Sequence, residues 1–553
     1  MSDPAAVSRP PFTAFALVLV GLAVAFAAWS LPANLKSTNP ALLRAAGEDT
    51  PTLGGFGRDL VDLEKIGPAA LVLAAARATD DPRAPALANA LDASAAKQPA
   101  LVAWGGWDPF LDPLFNLRAD SGRRVSTPVL TFLIPISARE KLRASLANSG
   151  SLGVQTLLKL RDLTATGRFV PAARAGGQPL DALILLTSLL YQGERFSPPL
   201  QRELRALAEA ALDKKQLGEL EPFFLDLLSL GRRLDWTQLS ELLRRTENTK
   251  TVGEFAHLAR VAPDQLPIIY AASLFSDTAD PVASYLIQFG KNGLADLRLA
   301  LALGQGAVKE LLARQVPVNR GASAALSVLA SFALLHPQLM LAFKYLGYAL
   351  GVWFVLRGLD RAVVGPLERK LALPALTHLR SGVLAVVFAG MLVVATEPFL
   401  LRAAPPSEYQ LRLRLPVLVV SAEVSVPEKS QPATTMDTST LLSIALFASL
   451  QIAMYFTCLV KIREVSRQSV PPLVKLKLME NEENLFDGGL YVGIAGTATA
   501  LLLQVLRVIE PNLLAAYASN LFGIICVALV KIRHVRDYKR QLILEAQAES
   551  KLT

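Results

Sequence analysis

The chain has 553 residues, of which 52% are hydrophobic and only 19% charged, and its mean hydropathy is +0.37. That balance excludes a disordered chain and is too apolar for an ordinary soluble globule. The formal charge of +9 is not gathered into a Lys/Arg-rich tract, so no nucleic-acid footprint is expected, and two cysteines rule out a disulfide framework or a Cys-based zinc site.

The first predicted element is the apolar run FTAFALVLVGLAVAFAAWSL between Arg9 and Lys36. It reads as a membrane anchor; a signal peptide with Ala25-Phe26-Ala27 as its cleavage site is the alternative, and the length of the run favours the anchor. Residues 36–322 then repeat a helical pattern with almost no alternation. In PPLQRELRALAEAALD, Leu200, Leu204, Leu207 and Ala211 share one face, Ser197 is suited to the N-cap and Pro198 to the first turn. Asp235 and Asp280 mark further starts, and Gly231, Gly290 and Gly304 further stops. Short amphipathic helices in succession predict an exported, solenoid-like α-helical domain, with a compact helical bundle as the alternative.

Near the front of that domain lies AWGGWDPFLDPLFNL. Trp104, Trp107 and Phe110 together with Asp108 and Asp112 form an aromatic and acidic patch, the candidate partner contact of the chain. Packing of these rings against helices, with the aspartates as caps, is the other reading. His257, alone in EFAHLARV, reads as a helix-face histidine. The sequence shows no Walker loop, G-x-S-x-G elbow or H-E-x-x-H pair, so no catalytic, cofactor-binding or metal-ligating residue is assigned and enzymatic activity is not expected.

Beyond residue 323 a juxtamembrane helix and two spans are predicted to residue 400, with Lys344 near the outer end of the first and able to snorkel outward. An external loop over 401–439 contains YQLRLRLPVLVV, where Leu411, Leu413 and Leu415 alternate with Arg412 and Arg414; a small β element is expected there. Residues 440–553 supply three more spans and a basic tail. Their cytoplasmic loop holds Val474, Leu476 and Leu478 alternating with Lys475 and Lys477, a short strand or interfacial segment. Clusters at Arg357–Arg380, Lys461–Lys477 and Lys531–Arg540 all fall on one side if there are about six spans, with both termini cytoplasmic and the large domain outside.

The last spans carry small residues at packing spacing, including Gly493, Thr497 and Gly523, and the polar residues Gln451, Gln504 and Asn520, expected to hydrogen-bond one another between helices. YVGIAGTATALLLQVL with LLAAYASNLFGIICVALVKIRHV resembles the final helix pair of the flagellar-motor and Tol/Exb proton-channel family, over about 45 residues, with Gly493, Gly496 and Thr497 on its glycine-rich segment. The second helix lacks the family's Ala-Ile-Pro ending. The resemblance implies an energising channel on the last three spans.

The sequence therefore points to a mainly α, polytopic protein of a bacterial inner membrane, non-enzymatic, whose periplasmic domain binds or scaffolds an envelope protein. Its partners would be the lipid bilayer, that protein and a second copy in a homo-oligomer, with no nucleic acid and no cofactor. A transporter or energising channel is the second expectation, and an envelope enzyme using Asp108 and Asp112 the third.

Overall fold

The computed structural model describes residues 12–119, 122–323, 325–363, 374–401, 407–409, 438–505 and 513–550. It is 75% helical with almost no strand; an isolated parallel bridge joins Ala165 to Gln216. The expected β element at Leu411–Leu415 lies outside the described residues. The alternation around Lys475 does not make a strand. Pro472–Asn481 is a helix, opened by prolines at positions that need no amide hydrogen and filled with the good helix formers Leu, Lys and Met, with Met479 buried.

The chain divides into two compact units: one of Met1–Asn39, Asn319–Pro405 and Leu415–Thr553, the apolar unit, and one of Pro40–Val318 and Pro406–Arg414, the array unit.

In the array unit local signals set the helix boundaries. Ser197 accepts the Leu200 amide and opens Pro198–Asp213, which buries Leu200, Leu204, Ala208 and Ala211. Asp235 and Gln238 form a reciprocal capping box before Trp236–Leu243, a helix buried on every side. Gly290 kinks Asp280–Leu303 with φ 55°, and Gly304 separates that helix from Gln305–Arg314. In a solenoid each repeat touches only its neighbours. Here Leu266–Ser276 also packs on Ile66–Ala78, and Gln305–Arg314 on Pro40–Gly47, so early and late helices share one apolar core running from Leu43 to Val318. From the described segment 407–409, Tyr409 joins this core: it is buried, its carbonyl lies 2.9 Å from His257 Nε2, and its N–H donates to Ser407 Oγ.

Among the described residues of the apolar unit, three helices are long and apolar enough to cross a membrane: Phe12–Trp29, Pro337–Leu359 and Tyr517–Gln547. Phe12–Trp29 runs along Pro337–Val363, where a Cβ on Gly21 would stand 2.6 Å from the Gly351 carbonyl oxygen and one on Gly351 2.8 Å from the Ala25 nitrogen. Only glycine permits that approach. Tyr348 is enclosed with Ala28 and Ala389 where Pro374–Thr396 joins the pair. Thr438–Arg467 packs with Gly488–Val505 and Leu513–Ala528. A π-helical turn, Leu529–Val535, continues into Arg536–Ser550, which lies on Pro472–Asn481. Phe15, Phe26, Phe343, Leu350, Ile494 and Leu521 are exposed, as residues facing lipid are.

Candidate functional site

The aromatic and acidic segment begins with a 3₁₀ turn, Pro99–Trp104, ended by Gly105 at φ 81°. Trp104 is buried and stacks on Phe132 with ring centroids 4.0 Å apart. Asp108 is buried as well. Its Oδ2 accepts Trp236 Nε1–H at 2.8 Å and pairs with Arg195 at 2.8 Å, while Oδ1 accepts the amides of Phe110 and Leu111. Asp112 is half-buried and accepts the Leu117 amide at 2.7 Å. Phe110 is half-buried against Gly193. Trp107 presents its ring outward, with the Arg118 guanidinium 5.4 Å from its centroid. The outward-facing part of the patch is thus Trp107 with Arg118, and both aspartates are bonded to the chain itself.

Behind this segment is a buried polar centre. Asp235 Oδ1 accepts the Gln238 amide at 2.8 Å and Oδ2 the Ser126 hydroxyl at 2.7 Å. A Cβ at Gly67 or Gly105 would fall on that carboxylate. Gln238 Nε2 donates to the Gly67 carbonyl, and Tyr270 OH to the Gln238 carbonyl. Glu241 lies 2.7 Å from both Lys65 and Arg245. Burial pushes the Asp235 carboxyl up to about 7, against the pull of its hydrogen bonds to Gln238 and Ser126. Burial acts the same way on Glu241, but Lys65 and Arg245 outweigh it and hold that carboxyl below its ordinary value. Elsewhere in the unit Asp181 is gripped by Arg139 and by Arg161, the latter at 2.6 Å.

One open concavity among the described residues of the array unit is a groove of ≈ 400 Å³ lined by Asn248, Lys250, Glu254, Asp280, Ser284 and Leu312 among others. Asp280 holds its rim by accepting from the Glu247 amide, Asn248 Nδ2 and Thr251 Oγ1 at 2.6–3.0 Å. No spacing in the sequence announces this groove, because its lining comes from segments that only folding brings together. Among the described residues no group of His, Cys, Asp and Glu is arranged to hold a metal ion.

In the apolar unit Gln451 is buried, and its Nε2 donates to the Gly489 carbonyl at 3.0 Å rather than to another side-chain amide. Thr497 and Ser519 hydroxyls both donate to the Gly493 carbonyl. A Cβ on Gly523 would lie 2.6 Å from the Gly489 oxygen, so the two helices meet backbone to backbone. Asn520 is half-buried, and the Gln504 side chain lies outside the described residues.

Sequence reasoning missed a buried ion pair. Lys344 does not snorkel outward: it is 2% exposed, with Nζ 2.6 Å from the Ala33 oxygen and 2.7 Å from Asn34 Oδ1. Glu397, fully buried, stands 3.9 Å away. The signal available was a carboxylate just before Pro398, at the end of an apolar run. Compared with known proteins, the chain matches no family model, no curated protein and no solved structure.

Proposed function

We propose that the chain is a non-enzymatic integral protein of a bacterial inner membrane, with about six spans and cytoplasmic termini, whose array unit faces the periplasm and binds another envelope protein. The observation that carries the binding role is the open groove of mixed polar and apolar lining at Asn248, Lys250, Glu254, Pro281 and Leu312, in a unit where Asp108, Asp181 and Glu241 are neutralised internally. Carboxylates so engaged hold a scaffold in shape and are poorly placed for general acid or base work. The groove instead presents the exposed Lys250 ammonium beside Glu254, with Pro281 and Leu312 as apolar lining, while Asp280, Asn248 and Gln315 are bonded within its rim. Phe12–Trp29 remains in place as the first span, because Gly21 and Ala25 fit the backbone of Gly351 as a partner helix does.

Reporter fusions near residues 200, 370, 420, 470 and 545 test the topology, and the mass of the purified chain tests retention of the first helix. For binding, the full chain is used to capture envelope proteins. Ser284→Trp, which fills the groove, is expected to abolish capture of a specific partner; undiminished capture removes the groove from the proposal.

The second reading is a transporter or energising channel on the last three spans. It is favoured by the backbone-to-backbone packing of Gly489, Gly493 and Gly523 beside the buried Gln451 amide. Proton flux in proteoliposomes that disappears in Gln451→Leu or Asn520→Leu would replace the scaffold reading with this one.

A further inference from the structure

Lys344 and Glu397 hold the same stretch of chain from opposite sides. The ammonium directs two of its donors to the Ala33 carbonyl and to Asn34 Oδ1. Glu397 Oε1 accepts the Leu35 amide at 3.2 Å. Between the two charged groups the separation is 3.9 Å, too long for a hydrogen bond. Glu397 Oε2 is buried and has no partner among the described residues, and the same is true of the buried Tyr345 hydroxyl. The Tyr348 hydroxyl is turned to Thr396 Oγ1 at 3.3 Å.

An ionised carboxylate sealed from water with an idle oxygen is costly, and an ion pair without a direct hydrogen bond offsets only part of that cost. The protonated acid fits the same frame. Its carbonyl oxygen keeps the Leu35 amide, its hydroxyl occupies the Oε2 position, and Lys344 still has Ala33 and Asn34. The frame thus accepts both charge states with little rearrangement. Among the described residues the titratable groups that face Glu397 are Lys344, Tyr345 and Tyr348, all from Pro337–Val363; on the segment it grips, Lys36 is exposed and Asn34 neutral.

We propose that Glu397 is a proton-binding site of the apolar unit, and that its charge state sets how firmly Ala33–Leu35 is held. On loading, an O–H bond forms at Oε2 with a proton taken from water; on unloading the proton returns there. The neutral acid holds the Leu35 amide less tightly than the carboxylate does, since hydrogen bonds to a charged acceptor are the stronger ones. The site belongs to the apolar unit and does not rest on the binding role proposed above.

The test uses the full chain in lipid nanodiscs. Infrared difference spectra between acid and alkaline pH are recorded in an Asp235→Asn background, which removes one buried carboxyl of raised value in the array unit. A carboxylic-acid carbonyl band that appears on acidification and is missing in Glu397→Gln is the expected result. Hydrogen exchange across residues 33–36 is then compared. Glu397→Gln, fixed in the neutral form, is expected to exchange about tenfold faster than the parent at alkaline pH and at the same rate at acid pH. An acid band unchanged by Glu397→Gln, or identical exchange at every pH, overturns the proposal. Should Glu397→Gln fail to assemble, Glu397→Asp serves: a displaced titration of the band supports the site, and an unmoved one refutes it.

Discussion

Asp108 in the array unit and Glu397 in the apolar unit are both carboxylates shut away from water, yet their surroundings differ. Asp108 accepts from an indole, a guanidinium and two backbone amides. Among the described residues Glu397 is met by the backbone amides of Leu35 and Lys36 with no side-chain donor at hydrogen-bond distance, and Lys344 turns two of its donors to Ala33 and Asn34. A carboxylate with every lone pair filled fixes geometry, because protonation weakens all of its hydrogen bonds and sets a hydrogen against a donor already in place. One left half-filled has little to lose on protonation. The array unit therefore uses buried charge as a rivet, and the apolar unit keeps one as a group that changes state.

The strongest way to break this contrast is Asp108→Ala. It leaves the Arg195 charge and the Trp236 N–H without their partner in a buried place, and is expected to cost the array unit about 3–5 kcal/mol, read by denaturant unfolding followed through tryptophan fluorescence. A loss below about 1 kcal/mol would mean that Asp108 is no rivet. In the apolar unit the comparable constraint is steric. Gly351→Leu drives a side chain into the backbone around Ala25 and is expected to cost about 1–3 kcal/mol, with the first helix becoming protease-accessible in detergent. If that helix stays protected, its seat is looser than the 2.8 Å approach implies.

Asp235 sharpens the comparison, because it lies in the array unit but carries a raised carboxyl. Its ordinary value of 3.8 becomes about 7 in the folded chain. Between those values the folded state holds the proton and the unfolded state does not, so stability falls as pH rises from about 4 to about 7 and is flat above. Asp235→Asn keeps an acceptor for the Gln238 amide and cannot ionise. It is expected to remove up to about 1.4 kcal/mol per pH unit from that slope. Unchanged pH dependence in the variant would place the titration on another group.

Much of the array unit is legible from local chemistry. Ser197 and Asp235 are side-chain caps with partners inside their own first turn, and Gly290 and Gly304 interrupt helices through backbone conformations that glycine tolerates. The polar centres are not legible, because their members are remote in sequence: Trp236 and Asp108 are separated by 128 positions and Lys344 and Ala33 by 311. Each residue alone reads as something ordinary, a cap or a snorkelling lysine. Alternation misled at Val474–Leu478 because a run of leucines and lysines satisfies the period of a strand while its composition favours a helix. In Trp104–Asp112 the residue types marked an unusual place without saying which side chains face inward.

That last ambiguity sets the smallest prediction. Asp112 sits four residues beyond Asp108 but is half-buried, and among the described residues its side chain accepts the Leu117 amide through Oδ1. Water can reach the groups left behind when it is removed, so Asp112→Ala is expected to cost about 1 kcal/mol in the same unfolding experiment. Trp107→Ala, which deletes an outward ring and its contact with Arg118, is expected to change stability by no more than about 1 kcal/mol. The two variants separate stability from binding within one segment. Loss of partner capture in Trp107→Ala with folding intact assigns the exposed ring to an interface. Unchanged capture leaves Asn248, Glu254 and Asp280 as the binding surface and reduces the aromatic patch to the packing that Trp104 and Asp108 already exhibit.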